Sequence, residues 1–326
     1  MDYTHLNQKK TSKGYKRFYP WLKWIFSGFS LYFFVHQLSE IEGSLLVDIG
    51  YGIESHPFVL TAIVVLAFVN WNAEAQKFKL LIAGEVHLSN LKSFLTVLGG
   101  MAISNFTPAR TGEYIGRGLL LKKIHPIKVV IATVAGNIAQ VLMTYSLGLL
   151  SIGGVFLFTE MGGDWFSDNG KLLSVIILMC AIVLLLYYIK DLLRLVKGYL
   201  PKKIAKALNM IKRYDRKLYL RVVKISFVRY IAFAIQFYLL LQLFSDFSLP
   251  IKAVLLVPAA YLMQSLVPVP AISDVGVRVA VSQLLFGSFI LNAPILQAVT
   301  CLWFINLILP GLFGTIYLLF SSIRKR

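Results

Sequence analysis

Long apolar runs alternate along the chain with short, strongly charged stretches. Runs near the roughly 20 residues that cross a bilayer lie at about Trp21–Leu38, Pro57–Ala73, Pro126–Phe158, Lys171–Ile189, Ile225–Phe244 and Ala293–Ser321. Each is predicted to be a transmembrane helix. Pro126–Phe158 and the last run are longer than one span needs, which predicts tilt, bending or extension past the membrane. Two other segments, Leu91–Lys123 and Ile251–Phe289, are apolar at both ends and broken in the middle. The first is 33 residues long, more than one span needs and less than two spans and a turn require. Each pattern fits a re-entrant hairpin of two half-length helices, whose irregular backbone must be surrounded by protein or a water-filled cavity.

Composition supports this picture: 57% of the 326 residues are apolar and only 15% are charged, far from the balance of a soluble domain. The formal charge of +18 raises nucleic acid as a partner, but its distribution argues against one. Of the 33 basic residues, 21 fall in three patches. These are an amino-terminal group (Lys9, Lys10, Lys13, Lys16, Arg17, Lys23), the stretch from Lys190 to Lys224, and Arg324, Lys325 and Arg326. The stretches Ser39–His56 and Thr159–Gly170 carry acids and no Lys or Arg. The positive-inside rule then places both termini in the cytoplasm. The expected organisation is a basic cytoplasmic tail (1–20), an integral membrane domain (21–321) and a basic cytoplasmic end (322–326). Within it, residues 190–224 form an amphipathic linker on the membrane surface, with Pro201 interrupting its helical spacing. The first span is expected to remain uncleaved, since no small-residue cleavage site follows it. Tyr19, Trp21, Trp24, Trp71 and Trp165 read as interfacial anchors, and Cys180 and Cys301 as packing residues.

Counting faces from a cytoplasmic N-terminus, the hairpin at 91–123 enters from inside and that at 251–289 from outside. The fold class is an all-α polytopic membrane protein with about six full spans and two opposed re-entrant helical hairpins, an inverted repeat. That architecture points to a transporter with its site near the midplane.

The breaks hold the candidate chemistry. The first reads "NFTPARTGEYIGR", from Asn105 to Arg117. Thr107 is expected to cap a half-helix beginning at Pro108. Arg110, Glu113 and Arg117 would then lie at i, i+3 and i+7 on one face. Glu113 satisfies one arginine and leaves one positive charge over, which suits a phosphate headgroup, with Arg110 as its bidentate donor. In the second break, Pro268 and Pro270 stop the incoming helix and Gly276 permits close backbone approach. Ser273 caps the next helix, and Asp274 and Arg278 are placed to pair. The candidate substrate-binding residues are Arg110, Glu113, Arg117, Asp274, Arg278 and Asn105. Thr107, Pro108, Gly112, Pro268, Pro270, Ser273 and Gly276 shape the breaks. A buried charge network that only locks the hairpins together is the alternative. Asn137, Gln140, Gln236, Gln264 and Asn306 read as interhelical hydrogen-bonding groups.

At "PARTGEYIGR" and "PVPAISDVGVR" the chain resembles the lysylphosphatidylglycerol synthase transmembrane-region family, whose members are called flippase-like. Pro108, Arg110, Gly112, Glu113 and Arg117 match the family's P-x-R-x-G-E/D segment and the arginine after it. Pro268, Pro270, Gly276 and Val277 match its P-x-P-G-G-L-G-V-x-E segment. In that segment "AIS" replaces a glycine-rich start, Val279 stands where the acid is usual, and Asp274 is a candidate replacement carboxylate. The resemblance spans roughly Trp21 to Ser321. It implies translocation of an anionic lipid or lipid-linked intermediate across the bacterial cytoplasmic (inner) membrane. The family's aminoacyl-transferase domain has no counterpart in these residues, so lipid aminoacylation is not expected. The five histidines are scattered and no catalytic or metal motif is found; no cofactor, metal or nucleic acid is expected. The rival readings are an intramembrane lipid-modifying enzyme or its accessory subunit, and a structural membrane partner.

Overall fold

The computed structural model describes residues 55–105, 107, 110–121, 124–158, 214–267 and 274–321. The expected spans at 21–38 and 171–189, both terminal segments, most of the basic linker, and Pro108, Pro268, Pro270 and Ser273 lie outside the described residues. Every regular element among the described residues is helical.

Helix α1 runs from Pro57 to Ile82. Proline opens it where a missing N–H costs nothing. The expected end at Ala73 is corrected: α1 continues for two and a half more turns through Glu74 and Lys77, both buried. The apolar run stops at these charges, but the backbone does not, because Glu74 pairs with Lys77 on the same helix and with Arg117 and Arg229 from neighbouring ones. Helices α2 (Asn90–Ser104) and α3 (Gly112–Leu120) follow and pack on each other. At 1.5 Å per residue they measure about 22 and 13 Å, so neither alone is long enough for a hydrocarbon core of about 30 Å. Their close approach depends on glycine. A Cβ at Gly116 would lie 2.8 Å from both Gly100 Cα and Gly99 O.

Helix α4 spans Pro126–Phe158, matching the predicted run. Helix α5 spans Arg216–Phe244, and the Asp215 carboxylate accepts from Leu218 N at 2.6 Å to cap it. The helix therefore starts nine residues before the apolar run at Ile225, because the cap and not hydropathy sets its first turn. A short 3₁₀ turn (Ile251–Leu255) leads into α6 (Leu256–Leu266), and α7 (Asp274–Phe286) packs against α6. The last run is α8 (Asn292–Trp303), a π-turn (Phe304–Ile308) and α9 (Leu309–Phe320). Pro310 stands just beyond the π-turn.

Among the described residues, four units are long and apolar enough to span a membrane: α1, α4, α5 and the α8–α9 unit. The short pairs α2–α3 and α6–α7 coincide with the two segments that sequence reading singled out. Large apolar side chains such as Phe58, Leu284 and Phe320 are exposed, as a surface facing acyl chains requires. Trp71 corrects one expectation. It is 3% exposed and packs edge-on against Phe68 and Phe313, so it is a packing residue and not an exposed interfacial anchor.

Two large apolar cores, beside two smaller clusters, occupy the interior among the described residues. One gathers Ile63, Tyr230, Phe237, Tyr261, Phe286 and Leu302 from α1, α5, α6, α7 and α8. The other gathers Phe78, Ile82, Val97, Val129, Ala139 and Val222 from α1, α2, α4 and α5. At the end of this second core, the Tyr214 hydroxyl donates to Leu81 O at 2.8 Å. Burial, and secondarily Glu85, raises the Tyr214 phenol above its ordinary pKa. Between the two cores lies a band of charge.

Candidate functional site

Along α1, Asn70, Glu74 and Lys77 stand between Ile63 of one core and Phe78 of the other. Arg229 occupies the corresponding place on α5, about 20 Å from either end by helical rise. Glu74 is the hub. Its Oε1 accepts from Arg117 at 2.9 Å, and its Oε2 faces Lys77 Nζ at 2.6 Å and Arg229 Nη1 at 3.0 Å. Arg117 also pairs with Glu113 one turn back on α3. Its guanidinium lies over the Phe78 ring, 4.8 Å from the centroid, adding a cation–π contact.

The network continues through uncharged groups. Arg229 Nε donates to Asn70 Oδ1 at 2.8 Å, and Asn70 Nδ2 donates to Asn306 Oδ1 at 2.7 Å. Asn306 Nδ2 donates to Gln236 Oε1 at 2.8 Å, and Gln236 Nε2 reaches Ile63 O at 3.0 Å. Arg229 Nη1 lies 3.4 Å from Gln140 Oε1 on α4. Five elements thus converge, and Asn306 enters from the π-turn. Asn137, Gln140, Gln236 and Asn306 all make the interhelical bonds expected of them; Asn137 reaches Tyr114 at 3.4 Å.

Three cations face two carboxylates, and four of these five side chains are nearly or largely enclosed. The side-chain exposures are 1% for Arg117 and Lys77, 3% for Glu74 and 14% for Glu113. Arg229, at 22%, is the most open of them. Isolated charges in such surroundings cost several kcal/mol each, and only good pairing offsets that. Arg117 Nε is buried with no hydrogen-bond partner among the described residues.

Of the sequence candidates, Glu113 and Arg117 enter this network. Arg110 does not share their helical face. Helix α3 begins at Gly112, and Arg110 precedes it with a left-handed φ of 56° and an exposed side chain. The expected start at Pro108 is thus corrected, and the physical reason lies in Thr107. Its hydroxyl accepts from Gly112 N at 2.6 Å, so it caps the helix from across a tight turn and not from the adjacent position. Asn105 is buried at the end of α2, where its Nδ2 donates to Leu307 O of the π-turn at 3.1 Å. Arg278 lies on α7. Asp274 begins α7, and its side chain is outside the described residues. No contact joins Arg278 to the Glu74 network among those described.

Glu74, Lys77, Asn70 and Arg229 are the members that sequence reading missed. A signal existed for each. Arg229 lies inside a predicted span, and "NWNAEAQK" (Asn70–Lys77) directly continues an apolar run without a helix breaker.

Residues 22–314 match the family model described as the lysylphosphatidylglycerol synthase TM region. The chain belongs to this family. No curated protein was found to match it. The match contains every element that supplies the charge network. Membership in this lysylphosphatidylglycerol synthase TM-region family is consistent with a membrane protein concerned with lipid. A separate cleft of about 500 Å³ opens at the far end of α5, lined by Ser245, Asp246, Ser248, Ser288 and Asn292 among others. It stands about 22 Å along the helix from Arg229 and is distinct from the network.

Proposed function

We propose that the protein translocates an anionic lipid or lipid-linked intermediate between leaflets, with the headgroup passing through the Glu74 network. The observation that carries this reading is the charge imbalance. Arg117, Arg229 and Lys77 outnumber Glu74 and Glu113 where α1, α3 and α5 meet, with Arg229 midway along the span-length α5. A surplus cation enclosed at that depth is costly, and a phosphate group is the anion that a lipid environment offers. Arg229, the most open cation, is the first of the three to meet the headgroup, and Arg117 receives it. Arg110, exposed at the turn before α3, attracts it from the surface. In this reading α2–α3 and α6–α7 are re-entrant pairs, opposed across an inverted repeat in the bacterial cytoplasmic membrane with both termini inside. Asp274 and Arg278 form the half of the site carried by α7.

The test is transport of a fluorescent anionic phospholipid in proteoliposomes. Arg229→Ala is expected to abolish headgroup movement while the protein still reconstitutes. Wild-type rates in that variant would remove the network from the pathway.

A second reading is favoured by the close packing of Arg117: the network is a lock that fixes α1, α3 and α5 together. A lock predicts that replacing Glu74, Lys77, Glu113, Arg117 and Arg229 together by apolar residues of similar volume leaves transport intact. The translocation reading predicts its loss.

A further inference from the structure

The amides that join Arg229 to the π-turn form a chain with a single direction. Arg229 Nε donates to Asn70, Asn70 to Asn306, Asn306 to Gln236, and Gln236 to Ile63 O. A guanidinium can only donate, and a backbone carbonyl can only accept. With those two groups at the ends, no amide between them can turn over without setting donor against donor or acceptor against acceptor. Asn306 is the middle member, and its Nδ2 also reaches Leu302 O at 3.1 Å. Asn70 and Gln236 are buried, so a link broken here leaves polar groups unsatisfied.

The π-turn brings Asn306 to this place. Leu309 N donates to Phe304 O, five residues back. The one extra residue in that turn rotates the helix beyond it by about 100° relative to an unbroken one. Pro310 has no N–H to offer the Asn306 carbonyl four residues before it, so the ordinary register cannot close there. From the other side, Asn105 at the end of α2 donates to Leu307 O.

At its far end the chain holds Arg229 at two points. Nε is bound to Asn70, and Nη1 faces Glu74 and Gln140. Among the described residues Nη2 makes no hydrogen bond. Two anchors fix the plane of the guanidinium, where one would let it rotate. The placement of Nη2, the part of the fork left for a ligand, therefore depends on Asn70 presenting its Oδ1. That in turn depends on Asn306.

We propose that Asn306 is a positioning residue for Arg229. Acting through Asn70, it fixes the guanidinium so that Nη2 meets the anionic headgroup. This rests on the headgroup reading above and adds to it a role for the π-turn inside the last span.

The test uses the full-length protein in detergent, below the unfolding midpoint of every variant. Dihexanoylphosphatidylglycerol is the probe, and titration calorimetry reads its affinity. Asn306→Leu, close in volume, is expected to bind about tenfold more weakly, the scale of one hydrogen bond to a charged group. Arg229→Lys keeps the charge but has neither Nε–H nor a fork, which leaves the amide chain nothing to orient. On that background Asn306→Leu is expected to cause no further loss. Gln236→Met, which releases the far end of the chain and keeps Asn306, is expected to weaken binding in the same way but by less.

Equal affinity in wild type and Asn306→Leu overturns the positioning role and leaves the headgroup site standing. An equal loss on the Arg229→Lys background also overturns it, because a residue that only supports the fold would act there too. If Asn306→Leu does not fold, Gln236→Met decides by the same two comparisons. Absence of binding by folded wild-type protein overturns both readings together.

Discussion

Arg117 is held by groups of different chemistry: carboxylates from two helices, an aromatic face and a glycine notch. Glu74 and Glu113 take its charge, Phe78 stacks beneath it, and a Cβ at Gly100 would lie 2.9 Å from its Cγ. Lysine cannot reproduce this set, because it is a point charge without a planar fork. Arg117→Lys is expected to lower the thermal unfolding midpoint in detergent and slow transport; an unchanged midpoint and rate would show that the fork and the stacking contribute nothing. Glu74 is the more sensitive position. Removing its charge leaves three enclosed cations facing Glu113 alone, and loss of one partner from a buried pair costs about 3–5 kcal/mol. Glu74→Gln is expected to unfold at a markedly lower temperature than Glu113→Gln, whose carboxylate is more open and, among the described residues, pairs with Arg117. Equal midpoints for the two variants would contradict the assignment of Glu74 as hub.

Among the elements, the α2–α3 pair shows how local chemistry and packing divide the work. Its break is written in adjacent residues: Thr107 caps Gly112, and Arg110 takes the left-handed conformation that lets the chain reverse. Its closeness comes from glycines on both helices. Gly116→Val is expected to force α3 away from α2, pull Arg117 off Glu74 and abolish transport. The direct measurement is a disulfide between cysteines introduced at nearby α2 and α3 positions, which should form in the parent and fail in the valine variant. The π-turn is the other telling element. It presents Asn306 to the charge network and Leu307 O to Asn105 at the end of α2. π-turns often mark functional positions in helices. This one ties the tip of the first short pair to the interior of the last span. Nothing in the hydropathy of "FINLILPG" distinguishes it from ordinary helix, since the insertion is a matter of hydrogen-bond register.

For the molecule as a whole, two apolar cores enclose a polar band, with short helix pairs packed against the span-length units. If α2–α3 is re-entrant, both its ends face the same compartment. Cysteines placed at the exposed positions Leu91 and His125 are then expected to react with an impermeant maleimide from one side of the membrane, the cytoplasmic one. Reaction from opposite sides would make the pair a crossing and overturn the inverted-repeat reading.

Much of this architecture was legible in the chain. Span-length helices follow from apolar length, since a run of about 20 residues has few other ways to satisfy its backbone in lipid. The short pairs follow from segments too long for one span and too short for two. The Glu113–Arg117 contact follows from i, i+4 spacing on one helix. All of these depend on neighbours in sequence, so sequence by itself determined them. The hub was decided otherwise. Glu74 meets Arg117 from 43 residues away, and Asn70 meets Arg229 and Asn306 from 159 and 236 residues away. Which charges meet depends on how far each helix is turned about its axis and how deeply it is set against the others. Those two quantities are fixed by packing of the apolar cores on either side, and only the tertiary structure specifies them. The same packing keeps α1 helical through Glu74 and Lys77, where reading the sequence alone ended the span.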